Sequence, residues 1–138
     1  KGYRYYGAEL TTQDSPFEAG MGPFIRLGKG EFIGRDALLV ERTAHPDGPA
    51  RRLRMVTIGG SDWLPIYGGE AVRIDGDVAG RLRSAAFGYT VMRTVGTVYL
   101  PSSVAEGSAI EIDVFDRREP GVVGPDVLHD PSGARMRG

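Results

Sequence analysis

The chain has 138 residues, with 17 Lys plus Arg against 18 Asp plus Glu, so its formal net charge of -1 offers no cationic surplus for nucleic-acid phosphates. Apolar residues make up 41% and charged residues 25%, the make-up of one ordinary globular domain or slightly more and not of a disordered chain. Without cysteine, disulfide scaffolds, thiolate metal sites and cysteine nucleophiles are excluded, and no apolar run approaches the roughly 20 residues of a membrane-spanning helix. The chain is therefore expected to be soluble, with no nucleic-acid and no membrane partner, and to be cytoplasmic if its source is bacterial.

Lys1-Gly2-Tyr3-Arg4-Tyr5-Tyr6-Gly7 reads as the middle of a packed segment, without the polar fringe of a terminus, so the chain is expected to be a piece of a longer protein. Residues 1–43 carry too few apolar residues at one period to form a core alone and are expected to pack on further chain. Within them, Gly28-Lys29-Gly30 reads as a turn, since no strand precedes it and no helix follows as in a dinucleotide fingerprint. Arg35 to about Arg42 is the best helical stretch, and the prolines of His45-Pro46 and Gly48-Pro49 stop it, which places a linker at 44–50.

Beyond the linker the period becomes two. Arg51–Ile58 alternates as a half-buried strand, and Glu70–Ile74 and Asp77–Leu82 flank Asp75-Gly76, a strong signal for a tight hairpin. Val91–Leu100, Ile110–Phe115 and the short Val122-Val123 complete five or six strands, with Pro101 and Pro120 expected at strand ends. The fold class is mainly β, with residues 51–138 as a small antiparallel barrel, because such a sheet must cover its apolar face.

Little in this pattern carries chemistry by itself. Glu70, Asp77, Glu111 and Asp113 read as solvated strand faces, and Arg51, Arg52 and Arg54 as a solvated strand edge. His45 and His129 have no partner at metal-ligand spacing, so no metal site is expected, and Ser84, His129 and Asp130 lack the Gly-x-Ser-x-Gly elbow of a hydrolase. The aromatic density of Tyr3, Tyr5, Tyr6, Phe17, Phe24 and Phe32 suits either core packing or a slot for a flat heteroaromatic ligand.

Three ordered stretches go further: Lys1–Thr11 with its Tyr-Tyr-Gly, Ser15-Pro16-Phe17-Glu18-Ala19-Gly20-Met21-Gly22, and Phe32-Ile33-Gly34-Arg35-Asp36-Ala37-Leu38. Together they resemble the folate-binding region of the glycine-cleavage T-protein (aminomethyltransferase) family, most of all the branch fused to dimethylglycine and sarcosine dehydrogenases or oxidases. Gly80–Thr90 with Val98-Tyr99-Leu100-Pro101 resembles the C-terminal barrel of the same family, so the likeness covers essentially the whole chain. It implies that residues 1–43 end a folate-binding domain of α+β character and that residues 51–138 form the closing barrel. It further implies a one-carbon transfer in which tetrahydrofolate is the cofactor, an amine or methyl donor is the small-molecule partner, and the N-terminal remainder of the folate domain lies against this chain. The catalytic aspartate and the arginine for the folate tail fall before Lys1 in the family pattern, so no catalytic residue is assigned and the isolated chain is expected not to turn over.

Carried over by position, Tyr6 falls on the family's Leu-Tyr-Gly tyrosine, a pterin-side contact or a core tyrosine. Phe24 lies within one position of an aromatic after the Pro-x-Glu segment. Glu18 matches that segment's glutamate, with a cofactor contact or the binding of backbone N–H groups as its two roles. Arg83 stands where the family commonly has Thr, and Val127–Pro131 lacks the T-protein's tyrosine. Two alternatives remain: a non-catalytic structural or docking module whose folate site has degenerated, and a folate-dependent demethylase of the same fold.

Overall fold

A computed structural model describes residues 1–137. Its elements run in chain order as a single 3-10 turn at Gly22–Phe24, helix α1 at Arg35–Ala44, strands β1 (Arg51–Ile58), β2 (Ala71–Ile74), β3 (Asp77–Gly88), β4 (Arg93–Pro101), β5 (Ala109–Val114) and β6 (Arg117–Val123), and a short α2 at Ala134–Arg137. The strands form a closed antiparallel barrel in the order β1-β4-β3-β2-β5-β6. β1 is paired by β4 along its length and by β6 only at Val56–Ile58, so Arg51, Arg52 and Arg54 lie on the stretch that β6 does not cover; the expectation of a solvated edge is corrected at Arg51, whose guanidinium is engaged by Glu18 and Asp14.

Alternation decides what fills the barrel. Val56, Ile58, Val72, Leu82, Val98, Leu100, Ile112, Val114 and Val123 point inward with at most 2% exposure, each such side chain contributing about 1.5–3 kcal/mol of burial. Leu64 and Ile66, from the loop between β1 and β2, join this core. β4 departs from simple alternation, being buried from Thr94 onward on nearly every residue. Its inner face meets the core through Val98 and Leu100, and its outer face is covered by the N-terminal segment, which reaches Thr97 and Tyr99.

The expected hairpin forms at Asp75-Gly76, both with positive φ, and Ile74 pairs with Asp77. β3 runs six residues past the expected Leu82, to Gly88. Gly80 and Gly88 do not break it, because glycine is needed there: a Cβ at Gly80 would lie 2.6 Å from the Tyr99 carbonyl oxygen. Between Leu82↔Val98 and Ser84↔Thr97 the register slips by one residue, and the extra residue is Arg83. Such a bulge re-aims a side chain, and here it sends the guanidinium to Asp14 in the N-terminal segment.

Two placements differ from expectation. Pro120 lies inside β6, opposite Glu111, and not at a strand end. Its carbonyl accepts from Gly59 N–H at 2.7 Å, on the β1 side, so its missing N–H faces the chain just beyond the end of β1 and removes no β5–β6 ladder bond. Glu70 precedes β2, and its carboxylate accepts the backbone N–H groups of Tyr67 at 3.0 Å and Gly68 at 2.8 Å instead of lying on a solvated strand face.

Helix α1 has Asp36 in its first turn and Arg42 in its last, both favourable to the helix dipole. It ends at Ala44 because His45 precedes Pro46 and is pushed out of the helical region, to φ -128° and ψ 69°. None of its residues is buried; Val40 is 70% exposed, and Ile33 just before it is wholly exposed.

Candidate functional site

The site is built where residues 1–24 lie on the outer face of β3, β4 and the start of β1. Three carboxylates, spaced along the segment at positions 9, 14 and 18, turn towards the barrel and meet two guanidiniums and two hydroxyls, while a phenol reaches the main chain of the segment. Glu9 is 6% exposed and makes no ion pair among the described residues. Its carboxylate accepts from the Ser84 hydroxyl, from Thr97 Oγ1 at 3.3 Å and from Tyr5 N–H at 2.9 Å, while its backbone carbonyl accepts from the Tyr99 hydroxyl at 3.0 Å. Burial pushes the Glu9 carboxyl up, but hydrogen bonds from Ser84, Tyr5 N–H, its own N–H and Thr97 together outweigh it and hold the group below the ordinary 4.5.

Asp14 bridges the two arginines, accepting from Arg83 and from Arg51 Nη2 at 3.2 Å, and its side chain is 2% exposed. Thr11 supplies two further donors, N–H at 2.9 Å and Oγ1 at 2.7 Å. Glu18 receives Arg51 through two bonds, Nε at 2.8 Å and Nη2 at 3.1 Å, and also accepts Ser15 N–H at 3.0 Å. The Arg51 hydrogen bond lowers the Glu18 carboxyl below its ordinary range against an opposing push from burial. Both guanidiniums lie over the Tyr99 ring, Arg51 at 4.7 Å and Arg83 at 5.2 Å from its centroid. Burial, helped by the charge of Asp14, raises the Tyr99 phenol to about 12. A main-chain bond completes the seam: Leu53 N–H donates to Glu18 C=O at 2.8 Å.

A proton carrier working near neutrality needs a pKa near 7, and this seam moves its groups away from that value: two carboxyls down and the phenol up. Ser84 donates to Glu9 and contacts Thr97 at 3.1 Å, and Asp130 pairs with Lys1, so the serine, histidine and aspartate considered from sequence do not assemble into a relay. The seam's hydrogen bonds and ion pairs fix the position of the N-terminal segment on the barrel.

The other side of the same segment is open. Tyr6 is 67% exposed, in a tight turn closed by Gly7 N–H to Leu10 C=O at 2.7 Å. Phe24, at the end of the 3-10 turn, is 80% exposed and lines a cleft of about 500 Å³ together with Tyr3, Arg4 and Met21. Glu18 is turned to the barrel, engaged by Arg51 and Ser15 N–H, and Tyr6 does not line the cleft, so the structure does not gather the three expected contact residues at one point. The seam residues Glu9, Asp14, Ser84, Thr97 and Tyr99 were not anticipated. Their signal was faint: polar Thr94 and Thr97 stand in an otherwise apolar β4, and three acids recur along a segment that lacks its own core.

The architecture is a closed six-stranded antiparallel barrel with an N-terminal segment clamped across β3, β4 and the start of β1. The model of the glycine cleavage T-protein C-terminal barrel domain matches residues 51–130, more than half of the chain, and the chain belongs to that family. Dimethylglycine dehydrogenase of Mus musculus is 30% identical over 141 aligned positions, covering 99% of this chain and 16% of that protein. Human sarcosine dehydrogenase is 39% identical over 101 positions, covering 72% of this chain and 10% of its own length, and the aminomethyltransferase of Frankia alni is 34% identical over 119 positions, covering 86% and 32%. Glycine cleavage system aminomethyltransferase T of Bartonella henselae has the same fold, with a TM-score of 0.78 at 21% identity over 90% of this chain and 34% of that one. The chain thus spans a minor part of the relatives it matches.

Proposed function

We propose that this chain is the C-terminal part of a tetrahydrofolate-dependent one-carbon transferase, handling an aminomethyl or methyl group, and that residues 1–43 form part of one wall of its folate cavity. The observation that carries this reading is two-sidedness. Residues 1–24 are pinned to the barrel through Glu9, Asp14 and Glu18, yet present Tyr3, Tyr5, Tyr6 and Phe24 uncovered, at 67–80% exposure. Aromatic rings held rigidly and left unpacked are what a flat heteroaromatic ligand requires. The cleft at Phe24 has a size within the roughly 300–1,000 Å³ common for small-ligand sites, so the residues present fit a share of such a ligand.

Bound tetrahydrofolate supplies the nitrogen that accepts the one-carbon unit. Tyr6 and Phe24 offer ring faces and edges to it, while Glu18 acts indirectly, tying the Ser15 turn to Arg51 and so fixing the approach of the chain to Phe24. The ionised Glu9 and Glu18 carboxylates accept hydrogen bonds and do not relay protons, so turnover depends on groups outside this chain. The uncovered faces of α1 and of the aromatic run are assigned to the N-terminal remainder of the folate domain and to the ligand between them. Transfer and demethylation share this wall and differ in the donor.

Calorimetric titration of the natural polypeptide containing this chain with tetrahydrofolate tests the reading. Stoichiometric binding weakened by Tyr6→Ala and by Phe24→Ala is expected, with unchanged circular dichroism because both side chains are exposed. A natural polypeptide that takes up no folate, or binding indifferent to both substitutions, would refute it and leave the barrel as a structural or docking module.

A further inference from the structure

A second cavity, of about 180 Å³, lies at the C-terminal end of α1 and shares no residue with the cleft at Phe24. Phe17, Glu41, Arg42, His45, Pro46 and Pro49 line it. It brings one acid and two bases to the same small space, and they do not neutralise one another. Glu41 is half-buried and accepts from the Ser15 hydroxyl through Oε1 at 2.5 Å, but it pairs with neither Arg42 nor His45. Arg42 and His45 are both exposed. His45 follows Glu41 by four positions, the spacing at which opposite charges meet on a helix, yet it has left the helix at φ -128° and ψ 69° and makes no such pair.

The walls are stiff. The Ser15 hydroxyl that holds Glu41 also accepts Phe17 N–H at 3.0 Å. His45 N–H donates to Glu41 C=O and Gly48 N–H to His45 C=O, each at 3.0 Å, while Pro46 and Pro49 fix their own φ. Acid and base are thus held apart around a space smaller than the roughly 300 Å³ at which ordinary small-molecule pockets begin. A molecule that answers both signs there must be dipolar, with its charges a few bonds apart. The negative end of the α1 dipole favours its cationic end beside Glu41, and the Phe17 ring with the two prolines offers apolar surface to a short side chain.

We propose that this cavity is a binding site for a small α-amino acid with a free ammonium group, distinct from the folate wall. Glu41 takes the ammonium, and Arg42 takes the carboxylate with the fork of its guanidinium. His45 adds a ring N–H. An ammonium donates three hydrogen bonds, whereas N-methylation removes donors and adds bulk, so N-methylated amino acids are poor occupants.

The probe is L-alanine, titrated into the 138-residue chain and followed by amide chemical shifts. Saturable shifts at Phe17, Glu41, His45 and Gly48 are expected, with a dissociation constant of about 1–10 mM for so small a ligand. Three analogues divide the site: propionate lacks the ammonium, L-alaninamide lacks the carboxylate, and N,N-dimethyl-L-alanine keeps both charges but only one N–H. Each should bind about tenfold or more weakly, as befits a lost charge-assisted hydrogen bond. Glu41→Gln, which still offers Ser15 an acceptor, and Arg42→Gln, at an exposed position, should each weaken alanine by a similar factor. If Glu41→Gln fails to fold, propionate and Arg42→Gln still read the two contacts.

An analogue that binds as well as alanine, indifference to Arg42→Gln, shifts confined to other residues, or no saturation by about 100 mM would overturn the proposal. The site does not rest on the folate reading, and the natural polypeptide separates the two. If it takes up alanine but no folate, the folate reading fails and this site stands; if it takes up folate but no alanine, this site fails and the folate reading stands.

Discussion

Glu9→Ala tests the seam most directly. The substitution strips acceptors from the Ser84 hydroxyl, the Thr97 hydroxyl and Tyr5 N–H at one stroke. An orphaned buried donor costs about 1–3 kcal/mol. Ser84 and Thr97 stand 3.1 Å apart and can partly satisfy each other, and Tyr5 N–H is only part-buried, so the total should fall near the lower end of the sum, about 2–4 kcal/mol. With a urea slope of about 2 kcal/mol/M, the middle of the usual range for small proteins, the unfolding midpoint should drop by roughly 1–2 M. Glu9→Gln, which keeps one carbonyl acceptor, should lose about half as much. Because the carboxylate anchors a segment and not a barrel strand, the loss can also emerge as release of residues 1–24 without unfolding of the barrel. The Leu53 amide reports both cases, since its partner is the Glu18 carbonyl. Faster hydrogen exchange at Leu53 is therefore expected whichever way the structure yields. A Glu9→Ala variant with wild-type midpoint and wild-type Leu53 exchange would refute the account of the seam.

Acid should loosen the same contact. Glu9 and Glu18 have folded values below the ordinary 4.5, so above that pH both folded and unfolded chains are ionised and their stabilisation is fully present; as pH falls, the unfolded chain binds protons first and stability declines until the folded values are passed. Urea midpoints taken between neutrality and pH 3 should show this fall, reduced in Glu9→Gln. In a spectrophotometric titration, Tyr99 should ionise late, near 12, while the chain remains folded, and Tyr99→Phe should remove that late component and cost about 1 kcal/mol through the lost bond to the Glu9 carbonyl. Gly121→Ala should destabilise the barrel by about 2 kcal/mol or more, since the new Cβ would lie 2.7 Å from Ile112 Cδ1 and 2.9 Å from the Thr57 carbonyl oxygen. A thermal midpoint lowered by less than about 3 °C would contradict that packing.

The barrel was legible where local chemistry decides the backbone. Asp75-Gly76 announces its hairpin, and the alternation of Arg51–Ile58 and Ile110–Phe115 places the strands within a residue of their observed ends. The length of β3 was not legible, because Arg83 and Ser84 break the alternation at the bulge and Gly88 looks like punctuation until β4 is known to pass against it. Closure as a barrel was expected from the need to cover the apolar face, but the pairing of β6 with β1 at Val56–Ile58 is a matter of register that neither strand carries alone. Of the candidate site, Tyr6, Glu18 and Phe24 came from resemblance to a family and not from spacing. The pairing within the seam could not be read, since its partners are separated by up to 90 positions and meet only after the barrel exists. The bulge that aims Arg83 at Asp14 is likewise a property of register, which a single strand does not carry.

The closing contact between β1 and β6 rests on Val56↔Val123, Thr57↔Val122 and Ile58↔Gly121. The first strand of the barrel thus waits for the last, and any intermediate lacking residues 121–123 leaves the apolar end of β1 as an open template for pairing with another chain. Slow closure is also the natural expectation for a sheet joined across so long a stretch of sequence. Over that interval the charges of Arg117, Arg118 and Glu119, just ahead of the closing residues, oppose association between copies. The last strand therefore acts as the latch of the fold and, through the residues that precede its final turn inward, as its guard against aggregation.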